Sequence, residues 1–297
     1  MALLLYGKLV ATAVIWGGTF IAGRVLAQQM GPYSAAFMRF LVASTCLTLF
    51  VLKTHGKVPR LNRRQVLPAL LLGLTGVFGY NVCFFSGLKT VTAGRASLII
   101  ATNPVFIALL AGILFREHFG LVRVLGIALS ITGAATVIGH GRPQLLFQGA
   151  LGRGELLILG SVASWVAYTL IGKVAMREMS PVVAVTYSCL IGALALLPPA
   201  VIEGLWKNLS ACSSQAWLSI LYLGLLGSAL GFIWYYQGIK AIGPARAGVF
   251  INIVPLSSVL LAFILLHEPL DASLLAGAAL IITGVYLSNR VPKAQAS

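Results

Sequence analysis

Two neighbourhoods of amide and proline, a spaced pair of tryptophans and a shortage of acids make up the chemistry this sequence offers. Asn103-Pro104, and Asn252 with Pro255, put a side-chain amide near a proline inside otherwise apolar runs. A proline within a helix removes a backbone N–H and frees a carbonyl, which the amide or a ligand can then engage. We expect Asn103 and Asn252 to face a ligand, and Pro104 and Pro255 to act as hinges in bent helices; a purely structural kink is the plain alternative. Trp16 and Trp165 offer indole faces to an apolar or aromatic body. Tyr80, Asn81, Phe84, Tyr168 and Tyr235 would add ring surface and hydrogen bonds, since small-ligand sites combine apolar walls with few polar contacts. The ordinary alternative for Tyr and Trp is an interfacial belt.

The acids are informative by position. Glu117, Glu155, Glu178, Glu203, Glu268 and Asp271 all fall at the ends of apolar runs or between them. Buried carboxylates are the usual proton relays and sodium ligands of membrane pumps, so no step driven by a mid-membrane acid is expected. Glu117 and Glu268 close related runs and could be gates on opposite faces, or simple caps on the following helix, where negative charge meets the positive end of the dipole. Arg95 and Arg246 open those same runs. They could attract an anionic group, although long basic side chains near helix ends commonly snorkel. The four cysteines show no CxxC spacing, and HExxH and GxSxG are absent. We therefore expect no metal, no cofactor and no enzyme.

These residues need a scaffold, and composition says which solvent it sits in. Of 297 residues, 59% are hydrophobic and 9% charged, with a mean hydropathy of +0.97, against roughly 25% charged in a soluble domain. Lipid must surround most of the chain. Ten apolar stretches, each enough to cross the hydrocarbon layer as helix, run approximately over 3–27, 33–53, 66–88, 94–115, 121–139, 154–176, 181–202, 215–238, 245–266 and 272–289. The fold class is thus all-α and polytopic. The first stretch is read as a retained span rather than a cleaved signal. With the N-terminus inside, 14 of the 21 Lys and Arg residues lie on the cytoplasmic side, which puts both termini there by the positive-inside rule. The net charge of +15 is spread thinly around the spans and suits anionic headgroups, not nucleic acid.

The chain also repeats itself. Shifted by 151, residues 72–133 match 22 of 62 positions, including Gly76 with Gly227, Pro104 with Pro255, Glu117 with Glu268, Gly126 with Gly277 and Gly133 with Gly284. At an offset of 149, Trp16 meets Trp165 and Pro32 meets Pro181. Residues 1–147 and 148–297 form two five-span halves. Five is odd, so the copies enter the membrane from opposite sides as inverted repeats. Such repeats can expose a midplane site to each face in turn, the design of many secondary transporters. A channel-like or structural subunit is the main alternative, and a membrane-embedded lipid-modifying enzyme a weaker one. Gly126, Gly133, Gly277 and Gly284 share helix faces that would pack spans five and ten together, or pack against another subunit; a monomer and a homodimer both fit.

Ile15-Trp16-Gly17-Gly18-Thr19-Phe20, Met38-Arg39-Phe40, Asn103-Pro104, Leu114-Phe115-Arg116-Glu117 and its echo Leu265-Leu266-His267-Glu268-Pro269-Leu270 resemble the ten-helix EamA-type branch of the drug/metabolite transporter superfamily. The resemblance covers nearly the whole chain. It implies a plasma-membrane carrier of small metabolites, often an exporter of amino acids, with a central cavity between two halves. The second half departs from the first at Ser188, where Arg39 would map.

Overall fold

The computed structural model describes residues 2–115, 120–142, 151–242 and 250–288. Eight helices in it are long and apolar enough to cross a membrane, and the shorter apolar helices Phe250–Leu266 and Ala272–Ser288 complete ten spans. Span one is Ala2–Gln29 and span two Pro32–His55. Proline at the head of span two, and Pro181 at the head of span seven (Pro181–Ile202), cost nothing there, because first-turn N–H groups have no helical acceptor. Span two stops at Gly56, whose φ of 72° is the left-handed conformation that glycine adopts without strain. Asn62 and Gln65 then form a reciprocal capping box that starts span three. A short helix, Leu205–Ser210, which sequence patterning did not separate from its surroundings, lies between spans seven and eight.

Spans three and eight are each interrupted by a π-helical stretch. In span three, Gly73–Gly79 lies between the α-helices Arg63–Leu72 and Tyr80–Gly87. In span eight, Tyr222–Leu230 lies between Ser214–Leu221 and Gly231–Ile242. Adding 151 to the first stretch places it inside the second. Spans four and nine break as well. Span four consists of Ala93–Ile100 and Asn103–Phe115 with Ala101 and Thr102 between them. Span nine passes from a 3₁₀ turn, Phe250–Asn252, into the α-helix Ile253–Leu266; Asn252 is the repeat mate of Ala101. The expectation of bent helices is corrected here. Pro104 and Pro255 sit in the first turns of new helices, where a missing N–H leaves no orphan.

The packing obeys the two-fold relation that inverted repeats require. Span five (Leu121–Ile138) lies against span ten and span two against span seven, each pair being its own counterpart. Span one against span nine mirrors span six (Arg153–Ala175) against span four, and span one against span eight mirrors span six against span three. The seam of spans five and ten shows why glycine is needed: a Cβ on Gly126 would stand 2.7 Å from the Gly284 carbonyl oxygen, and one on Gly284 would stand 2.6 Å from that of Gly126. Gly133 and Gly277 meet in the same way, each 2.9 Å from the other's oxygen. Backbones can approach this closely only without side chains.

Fully buried apolar residues concentrate toward one end of the bundle. Leu26, Leu88, Leu98 and Ile99, with Ala35, Ala36, Ala93 and Ala96, are all at most 1% exposed. That end carries the connections between spans one and two, three and four, seven and eight, and nine and ten. With an even number of spans, the outermost described residues, Ala2 and Ser288, lie at the other.

Candidate functional site

Between the repeats lies a cavity of about 650 Å3, with walls from spans one to six and eight to ten. Of the residues singled out above, Trp16, Tyr80, Asn103, Pro104, Trp165, Tyr168, Tyr235, Asn252 and Pro255 line it. Two aromatic groups face it. Trp16 packs on Tyr235 and Phe232 with ring centroids 5.2 and 5.8 Å apart, and Trp165 packs on Tyr168 and Tyr80 at 5.2 and 5.4 Å. The Trp16 indole is fixed by donating to the Gly227 carbonyl at 2.9 Å, which belongs to the second π-helical stretch. Gly227 and its mate Gly76 let these rings come near: a Cβ on Gly76 would run into Tyr168, and one on Gly227 would be 2.7 Å from Thr19, the repeat mate of Tyr168.

Asn81 and Phe84 are placed differently from expectation. Phe84 is 1% exposed and stacks on Tyr80 at 5.7 Å and against Phe20 at 5.5 Å. It therefore backs the wall without reaching the cavity, because Gly23 opposite it leaves room for the whole ring. Asn81, also 1% exposed, accepts from Arg39 Nη1 at 3.1 Å and donates to the Val77 carbonyl at 2.8 Å. Glu117 lies outside the described residues.

Arg39, quoted above within the Met38-Arg39-Phe40 resemblance but given no site role, lies seven residues beyond Pro32 in span two and lines the cavity. The available signal was a basic residue well inside an apolar run, which in a membrane marks function or a buried partner. Its Nε donates to the Ser228 hydroxyl at 3.2 Å, and Ser228 in turn donates to the Leu223 carbonyl at 2.9 Å. Arg39 is thus held by one side chain from each repeat, and each holder is anchored on a carbonyl of a π-helical stretch. Such wide turns recur at functional sites because they release backbone groups from the regular ladder. Ser188, at the position equivalent to Arg39, turns its hydroxyl to the Val185 carbonyl, so the centre carries charge from one repeat alone.

The end away from the chain termini is tied across the repeats. Glu268 accepts from the N–H groups of Ala93 and Gly94 at 2.8 and 3.0 Å. It caps the first helix of span four, in the opposite repeat, and not the helix that follows it; that helix is started by Asp271, which accepts from Leu274 N–H at 2.7 Å. Glu203 similarly accepts from Ser34 and Tyr33 N–H at 2.7 and 3.4 Å. Asn208 donates to Ser34 at 3.2 Å, and Ser213 donates to Gln29 at 2.6 Å. Arg95 pairs with Asp271, the single salt bridge among the described residues, and donates to the Val137 carbonyl. Burial pushes the Asp271 carboxyl up, but the Ser273 hydroxyl, the Leu274 N–H and the Arg95 guanidinium outweigh it and hold the group below the ordinary carboxylate range. The cavity lining instead reaches toward the other end, to Arg123, Ile251 and Val285. Arg246 and the midpoint at residues 147 and 148 lie outside the described residues. Among those described, no group of His, Cys, Asp and Glu could hold a metal ion.

Comparison with known proteins agrees with this architecture. The EamA-like transporter family matches the chain twice, over residues 3–139 and 152–290. An uncharacterized transporter of Bacillus subtilis, YyaM, is 29% identical over 97% of this chain and 95% of its own. A probable terminal-alkyne amino-acid exporter of Streptantibioticus cattleyicolor is 31% identical over 95% of this chain and 92% of its own. A solved crystal structure at 21% identity superposes with a TM-score of 0.65 over 95% of this chain and 96% of that one, a likeness that speaks to fold alone. Two matched repeats, the apolar spans and full-length relatives that are transporters together mean that this chain belongs to the EamA-like transporter family.

Proposed function

We propose that the protein is a secondary transporter that carries a small amino-acid-like metabolite out of the cell by alternating access through the central cavity. The observation that carries this reading is where the cavity lies: Glu203, Glu268 and the Arg95–Asp271 pair close one end across the repeats, while the cavity lining runs toward the other end, where Lys8 with Gln237, Gln65 with Glu178 and Tyr187 with Pro59 also join the repeats. Inverted copies that rock against each other would exchange these states. The broken spans four and nine, at repeat-equivalent points beside the cavity, are where backbone can flex without losing regular hydrogen bonds. Aromatic walls with few polar groups suit a small amphipathic molecule, and the amino-acid exporter among the relatives supports that class. The excess of Lys and Arg on the side of the chain ends supports cytoplasmic termini, and on that reading the cavity faces inward in this state.

Counterflow in proteoliposomes tests the mechanism. Vesicles loaded with an unlabelled amino acid should transiently accumulate the labelled one above equilibrium. Uptake that only equilibrates, and does not saturate, would mean a pore.

A further inference from the structure

Arg39 lines a cavity whose described walls hold no acidic side chain. Its polar partners are neutral: Asn81 on Nη1 and Ser228 on Nε, with the Phe40 ring 5.2 Å from the guanidinium carbon. No described residue accepts a hydrogen bond from Nη2. A guanidinium has five N–H donors in a planar fork that matches a carboxylate, and Arg39 is partly exposed along the cavity. Asn81 and Ser228 orient the fork and leave its charge uncompensated. A second positive charge, Arg123, lies on the wall nearer the chain ends.

We propose that Arg39 is an anion subsite and that the cavity selects molecules bearing a carboxylate on an apolar body, with the carboxylate on the free edge of the guanidinium and the body between the Trp16 and Trp165 groups. This deepens the carrier reading and rests on it for its biological meaning, though the selectivity itself is a binding property. An ammonium group on the substrate is not required, because no acid among the described lining residues faces the cavity to receive it. The repeat mate Ser188 carries no charge, so the ligand lies in one orientation. Arg39 also bridges Asn81 of the first repeat and Ser228 of the second, so a carboxylate on its free edge would touch the group that links the halves.

Binding to the purified full-length protein in detergent tests this with three matched probes: 3-phenylpropionate, its amide and phenethylamine. The acid should bind at least about tenfold more tightly than the amide or the amine, equivalent to about 1.4 kcal/mol. Arg39→Gln should bring the acid-to-amide ratio near one, while Arg39→Lys, which keeps the charge but loses the fork, should retain part of it. Equal binding of acid and amide by the unaltered protein, an undiminished preference in Arg39→Gln, or no binding of the acid at about 10 mM would overturn the proposal. Should Arg39→Gln fail to fold, the probe comparison on the unaltered protein and Arg39→Lys still decide. Selective binding of the acid without counterflow would leave the subsite standing and remove the carrier; counterflow of phenethylamine with no preference for the acid would do the reverse.

Discussion

Glu203→Gln and Glu268→Gln in one protein should loosen the tied end. Each carboxylate accepts from two backbone N–H groups at the head of a helix in the opposite repeat, Glu268 at 2.8 and 3.0 Å and Glu203 at 2.7 and 3.4 Å. Glutamine keeps one accepting oxygen, loses the second and removes the charge that meets the helix dipole. A charge-assisted hydrogen bond is worth about 1.5–3 kcal/mol against about 1 for a neutral one, and the dipole adds a few tenths. About 1 kcal/mol per site follows, or ~2 kcal/mol together, which is roughly a thirtyfold shift toward the state open at that end. The reporter is Thr169→Cys, on the cavity wall, in a background lacking Cys46, Cys83, Cys189 and Cys212. An impermeant maleimide is added on the face of exposed Lys207, with Lys207→Cys as the sidedness control. Labelling should quicken by an order of magnitude or more. A change below about threefold, or under 0.7 kcal/mol, with labelling from the opposite face intact, would refute the assignment of these carboxylates to the closure.

Two further expectations concern the scaffold. Pro104→Ala with Pro255→Ala should shift melting little, since both prolines occupy first turns whose N–H groups lack helical acceptors, yet should slow counterflow by relaxing the backbone at the breaks; unchanged flux would reject a hinge there. Gly284→Val should destabilise by about 3 kcal/mol or more, because even its Cβ would stand 2.5 Å from the Ser130 nitrogen and 2.6 Å from the Gly126 oxygen, and neither backbone atom can turn aside; an unchanged melting temperature in detergent would contradict the packing.

Much of the scaffold was legible because lipid imposes a simple rule on the sequence: about twenty apolar residues per crossing. The span limits fall within a few residues of the helices, and the duplication foretold which elements would be equivalent. The aromatic wall was legible too, since Trp16 and Trp165 stood deep in their runs and were repeat mates. The π-helical stretches were invisible, because a wide turn leaves no mark in apolarity. The same blindness hid Asn81 and Ser228, whose use depends on carbonyls those turns release. Phe84 was misplaced for a different reason: composition marks an aromatic ring but cannot say which side of a tryptophan–tyrosine wall it occupies. Arg39 carried no site role because a lone basic residue in an apolar run does not say whether its side chain snorkels to the headgroups or faces a cavity.

The wide turns also bear on ancestry. One stretch is Gly73–Gly79 and the other, Tyr222–Leu230, spans its shifted image, so the simplest history has the additional residue arising once, in a single short gene, before that gene doubled and fused. Position 39 diverged afterwards, one daughter copy bearing arginine and the other, at 188, serine. An ancestor assembled from two identical chains would have had matching chemistry on both sides of its axis, and fusion freed the halves to specialise.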